Sequence, residues 1–192
     1  MNQLRANFPE PPDAKRRFTA DEFERMGMAG IFGPDERVEL IAGEIYQMSP
    51  AGRFHEVLRT LLAFQWAKRA PANVLVAAEM QLRLADDYQP VVDIGVLPLA
   101  ILPPDARGPD MLLLVEVADS SLVWDTKTKA RVYAQAGVRE YWVINARSRE
   151  TLVHSEPGAD GYGAVTTVAA GDIVTPSLVP ELAICLTDLP AA

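Results

Sequence analysis

At 192 residues, with 49% hydrophobic and 23% charged side chains, the chain is long enough for one domain that buries roughly 70% of its unfolded surface around a single core. A formal net charge of −8 excludes a generic basic coat for nucleic acid, because phosphate binding over a broad face rests on Lys and Arg. No apolar run approaches the about 20 residues of a membrane span, so no membrane partner is expected. The single cysteine excludes an internal disulfide and a thiolate cluster, and Cys185 is read as a small core residue.

Residues 1–17 run through Pro9, Pro11 and Pro12 without an apolar signal core. This predicts a disordered or extended N-terminal segment, a single domain over 18–192 and a cytoplasmic location. Thr19-Ala20-Asp21-Glu22 has the form of a capping box and starts a short helix that reaches about Met28. Strand-like Arg37 to Ile41 and Glu44 to Met48 flank Ala42-Gly43, a two-residue hairpin turn, and the hairpin carries Glu39. From His55 to Lys68, Val57, Leu58, Leu61, Leu62, Phe64 and Trp66 lie mostly at helical spacing, and Pro71 closes the segment. Val74 to Leu84 alternates as a strand and ends at Asp86-Asp87, after which Val91 to Leu97 pairs back antiparallel. A Pro-rich loop from Pro98 to Pro109 leads to the apolar strand Met111 to Val115, then to a helix from about Leu122 to Ala136 capped by Gly137. Tyr141-Trp142-Val143-Ile144 returns as a buried strand, and short strands fill Thr151 to Ser155, Tyr162 to Val168 and Leu178 to Leu186. His154 falls in a polar strand and is expected at the surface.

Two residues break the hydrophobic pattern in the same way. Asp93 and Glu116 each place a carboxylate inside a strand that is otherwise apolar, and the two strands are expected to be neighbours. A buried ionised carboxylate costs several kcal/mol unless a cation or donor meets it. Two of them about 4 Å apart repel by about 4 kcal/mol at an effective dielectric near 20, so a shared cation or a proton is required. Mg²⁺ or Mn²⁺, which take hard oxygen ligands and fill the remaining positions with water, match such a pair. On the following helix Asp125, Lys129 and Tyr133 recur at i, i+4 and i+8, a stripe that can face the same point.

The run Glu116-Val117-Ala118, then Ser121, Asp125, Lys129, Tyr133 and Gly137-Val138-Arg139-Glu140-Tyr141-Trp142, resembles the signature of the bacterial “putative restriction endonuclease” family of the PD-(D/E)XK nuclease superfamily. The similarity extends to Val38-Glu39-Leu40-Ile41-Ala42-Gly43-Glu44-Ile45, to His55 and to Asp93, and so covers about residues 18 to 186. It implies a restriction-endonuclease-like α/β core with a mixed central β-sheet flanked by helices. It also implies a metal-dependent endonuclease, in which Mg²⁺ or Mn²⁺ held by Asp93, Glu116 and the main-chain carbonyl of Val117 activates water for phosphodiester hydrolysis. Position 118 is alanine where the superfamily lysine would stand, and Lys129 takes that role; Val92 stands where the motif name has proline. Glu39 is implied as an outer acidic ligand and His55 as a contact to water or phosphate, with Asp125 and Tyr133 supporting. The implied partners are nucleic acid, DNA first, and a second copy of the chain, for which Trp124, Tyr141 and Trp142 are candidate interface residues. The rival readings are a nuclease-fold module that binds or regulates without turnover and a hydrolase of small phosphodiesters.

Overall fold

The computed structural model describes residues 16–48 and 50–191, so most of the N-terminal segment expected to be disordered lies outside the described residues. Helix α1 (Ala20–Met28) opens on the capping box anticipated at Thr19, whose hydroxyl accepts from Glu22 N–H while the Glu22 carboxylate accepts from Thr19 N–H. Strands β1 (Val38–Ile41) and β2 (Glu44–Gln47) form a separate antiparallel hairpin. Its turn residues Ala42 and Gly43 both have positive φ, 50° and 76°, the handedness that matches the twist of paired strands.

The main sheet has six strands in chain order: β3 (Val74–Gln81), β4 (Val91–Pro98), β5 (Leu113–Ala118), β6 (Glu140–Asn145), β7 (Thr151–Gly158) and β8 (Gly161–Val168). Only β5 and β6 run parallel, because the helical crossover between them returns the chain to the same end; all other neighbours are antiparallel. The sheet is therefore mixed, with helices on both faces.

Helix α2 (Arg53–Arg69) covers one face with Leu58, Leu62 and Trp66, one residue per turn, against Ile94, Val96, Val115 and Trp142. Phe64, which the helical count counted among the apolar set, points outward at 57% exposure. The opposite face receives the crossover helix, whose Ala130 and Tyr133 pack on Leu114, Ala118, Tyr141 and Val143. Its last turn is α3 (Ala130–Gln135), and Gly137 at φ 80° ends it in the left-handed conformation that favours glycine. Among the described residues the C-terminal stretch holds a two-stranded ribbon, β9 (Ile173–Val174) with β10 (Ile184–Cys185), and single 3₁₀ turns where a short strand was expected over Leu178 to Leu186. Among the described residues no helix is long and apolar enough to cross a membrane.

Three expectations from the sequence are corrected by burial. Tyr141 and Trp142 have no exposed surface and belong to the core, so of the proposed interface aromatics only Trp124, at 44%, is free to meet a partner. Cys185 is half-buried and not a core residue. His154 is buried, against the Tyr141 and Tyr162 rings, with its Nδ1 unpartnered; alternation along β7 turns it to the helix face, which the crossover helix covers. Burial disfavours the imidazolium and pushes the His154 pKa below its ordinary 6.5. The unfolded chain then binds a proton that the folded chain refuses, so His154 removes stability as pH falls through about 6.5 and below. Urea unfolding at pH 8 and pH 5.5 is expected to show a smaller acid loss in His154→Phe than in the wild type. Equal losses in both would mean that the imidazole is neutral or charged alike in the folded and unfolded chains.

Candidate active site

The two acids that break the strand pattern sit where the sheet opens. Pairing of β4 with β5 stops at Ile94 and Val115, one position short of Asp93 and Glu116. There the Asp93 carboxylate replaces a backbone acceptor, taking the Val117 N–H on Oδ2 at 2.8 Å. The splayed strands, the β1–β2 hairpin and the start of the crossover helix enclose a cleft of about 450 Å³. Glu39, His55, Asp93, Glu116, Val117, Asp125 and Lys129 all line it, and Tyr133 stands fully buried behind Glu116. The residues expected at the site from the sequence are thus brought to one place.

The helix that carries Lys129 is not regular. Residues Trp124–Lys129 form a π-helical segment, in which Ala130 N–H donates to the Asp125 carbonyl five residues back. Two side chains support this wider turn: Thr126 Oγ1 donates to the Leu122 carbonyl at 2.6 Å, and Tyr141 OH donates to the Asp125 carbonyl at 3.2 Å. Such single wide turns inside α-helices frequently mark functional positions. Its effect here is to turn Asp125, Lys129 and Tyr133 together toward Glu116. Lys129 Nζ donates to Glu116 Oε1 at 3.0 Å and lies 3.7 Å from Asp125 Oδ1, while Tyr133 OH donates to the same Glu116 oxygen at 2.7 Å. The exposed helix-surface ion pair that Asp125 and Lys129 would otherwise suggest is in fact buried.

Charge in the cleft is unbalanced. Glu116 is pushed well above its ordinary range, first by burial, against which Lys129 acts, with Asp93 and Asp125 adding to the rise. Burial likewise raises Asp125 despite Lys129 and the Ser121 hydroxyl. Burial opposes the charge on Lys129, yet Glu116, Asp125 and Glu39 outweigh it and hold the ammonium protonated. Asp93 differs: burial pushes it up, but the His55 ring and the Val117 N–H outweigh burial and keep it ionised. His55 Nε2 reaches both Asp93 oxygens, at 3.0 and 2.9 Å, and that hydrogen bond raises the imidazole pKa against desolvation. Two buried carboxylates, Glu116 and Asp125, therefore share one ammonium, with the half-buried Asp93 beside them paired to His55, an arrangement relieved by a further cation.

Glu140 shows what a purely structural buried acid looks like in the same sheet. Its Oε1 accepts from Trp142 Nε1 at 2.7 Å and its Oε2 from Ser177 N–H at 2.8 Å, so both oxygens are served by the protein. Glu116 keeps Oε2 without a donor among the described residues. No group of three or more His, Cys, Asp or Glu side chains is arranged as a metal cage among the described residues. Two carboxylates with no thiolate fit a hard cation that retains most of its water, which is the habit of Mg²⁺. The donor set fits that ion and not a structural zinc.

Sequence reasoning missed one supporting network. Arg59, one helical turn after His55 and nearly buried, pairs with Glu56 at 2.7 Å and with Glu79 at 2.9 Å, and Glu79 also pairs with Arg37 of the hairpin side. Glu79 lies on β3 with φ 49°, an uncommon conformation for a non-glycine residue. The network ties α2, β3 and the hairpin together around the cleft. Little in the sequence marks it: Glu56 and Arg59, three apart on one helix, read as a solvated pair, and Arg37 and Glu79 lie far from them in the chain.

A mixed sheet between helices, opened at two strand-borne acids, defines a nuclease-like α/β protein. The model of the Uma2 family, described as “putative restriction endonuclease”, matches residues 20–189, and the chain belongs to that family. Among solved structures, the fold is similar to that of a “putative nuclease” from Anabaena variabilis, with a TM-score of 0.65 and 18% identity over 90% of this chain and 97% of that one. No curated protein matches the chain.

Proposed function

We propose that the chain is a metal-dependent endonuclease that hydrolyses phosphodiester bonds of nucleic acid, DNA first, with Asp93, Glu116 and Lys129 at its centre. The observation that carries this reading is the convergence of the two strand-borne carboxylates and the Lys129 ammonium on one cleft in a chain of this family. Asp93 and Glu116, with the Val117 carbonyl, would hold Mg²⁺ or Mn²⁺. When bound, the ion supplies Lewis-acid charge to the phosphate and to the attacking water.

The remaining work falls to this chain's own groups. Lys129 stabilises negative charge developing on the phosphate oxygens, a role that suits an ammonium kept charged by its acidic neighbours. Tyr133, with Lys129, fixes Glu116 Oε1 and leaves Oε2 without a donor among the described residues. His55 orients Asp93 and can pass a proton to or from the cleft, and Glu39, whose Oε2 accepts from Val91 N–H at 3.4 Å, closes the hairpin side as an outer acid.

The test is incubation of the purified chain with plasmid, single-stranded DNA and RNA in Mg²⁺ or Mn²⁺, alongside Asp93→Ala. Cleavage by the wild type and its loss in Asp93→Ala support the reading. Cleavage that persists in the variant, or no cleavage of any substrate, removes it; in the second case a nuclease-fold module without turnover takes its place.

A further inference from the structure

The cleft is poor in the groups that hold duplex DNA. Among the described residues five carboxylates line it (Glu39, Asp93, Glu116, Asp119, Asp125) against the cations Arg37 and Lys129, and each of those cations already has a carboxylate partner. Affinity built on phosphate neutralisation needs many free Lys and Arg contacts. What the mouth of the cleft offers instead is aromatic surface. Trp124, 44% exposed, projects from the π-helical turn that also carries Lys129, and Tyr46, 48% exposed, stands on β2 of the hairpin. Both line the cleft, from different elements. The Tyr46 ring is held by its edge, since its hydroxyl donates to Glu44 at 3.1 Å, which leaves its faces available. Neither ring packs on another aromatic group among the described residues.

The cleft also continues. Arg37, Met48 and Val91 line both it and a larger groove of about 1050 Å³ that runs along the β3 edge of the sheet. A duplex is stiff over about 50 nm and pays energy to follow any bend between the two, whereas a single strand follows one at little cost. Exposed aromatic faces lining a cleft are how proteins hold single strands, because every base presents a face for stacking.

Resting on the nuclease reading above, we propose that the substrate is single-stranded nucleic acid, with bases beside the scissile phosphate stacked on Trp124 and Tyr46. DNA and RNA share this chemistry, and the experiment separates them. Fluorescence anisotropy with Asp93→Asn protein and Mg²⁺ would compare labelled 12-mers of single-stranded DNA, single-stranded RNA and blunt duplex DNA. The single strand, in one sugar type or both, is expected to bind at least tenfold tighter than the duplex. Trp124→Ala is expected to weaken it by about 5- to 150-fold, the range that loss of one base–aromatic stack produces, and Trp124→Phe to stay within about threefold. With two cations at the site, the slope of log affinity against log salt is expected to be no steeper than about −1.4. Trp124 is exposed, so thermal melting will show Trp124→Ala folded.

Duplex bound as tightly as single strand, or single-strand affinity unmoved in both Trp124→Ala and Tyr46→Ala, overturns the proposal while wild-type cleavage leaves the nuclease reading standing. A Trp124→Ala variant that changes oligomeric state by light scattering without changing single-strand affinity also overturns it, and assigns Trp124 to an interface. Failure of every nucleic acid to bind or be cut overturns both readings.

Discussion

Replacing Lys129 with methionine is expected to lower nucleic-acid cleavage by about 10²- to 10³-fold in kcat and to lower folding stability by about 3–5 kcal/mol. The first effect follows from removing the cleft's one buried ammonium, set 3.0 Å from Glu116, which on the proposed reading meets charge that develops only in the transition state. The second follows from what is left behind. Glu116 and Asp125 are both buried, and without the ammonium their charges face each other with the Tyr133 and Ser121 hydroxyls as their remaining side-chain donors. Breaking a buried ion pair by deleting one partner is far more costly than replacing the pair whole. Steady-state kinetics and urea unfolding on the same preparation separate the two effects. A folded Lys129→Met protein with kcat within a few-fold of the wild type would leave the lysine a structural counter-charge and nothing more.

A second large effect is expected from metal. Mg²⁺ or Mn²⁺ at about 100 times its dissociation constant stabilises a folded protein that alone binds it by about 2.7 kcal/mol, which for a domain of this size raises Tm by about 5–11 °C. Asp93→Asn is expected to abolish most of that rise. The substitution keeps an oxygen for the Val117 N–H, so the opening of β4 from β5 survives, but it halves the formal charge offered by the proposed ligand pair. Scanning calorimetry with and without metal gives both curves. An unchanged metal response in Asp93→Asn would move the metal elsewhere, and no response in either protein would favour the module without turnover.

Much of the fold is legible because local signals and burial agree. The Thr19 capping box, the Ala42-Gly43 turn, the one-per-turn row Leu58, Leu62 and Trp66, and the Gly137 stop each specify backbone geometry within a few residues of chain. The same holds for the two acids: a carboxylate in an apolar strand is a local contradiction, visible without knowing the partner strand. Its meaning is not local. Glu140 contradicts its strand just as Glu116 does, yet Trp142 and Ser177 satisfy both its oxygens, and no pattern in the sequence separates the two cases.

By itself, then, the sequence determines the order and type of the elements, the opposed apolar faces that force a sheet between helices, and the acids, lysine and histidine available for chemistry. Tertiary structure alone decides which of those groups meet. The stop in β4–β5 pairing, the wide turn that aims Lys129 at Glu116, the His55 contact to Asp93 and the burial of His154 against Tyr141 and the crossover helix all depend on distances between segments remote in the chain. Hydrogen bonds and ion pairs act over a few ångströms, so their presence is set by how the packed elements close on one another, a property that residue spacing along the chain does not carry.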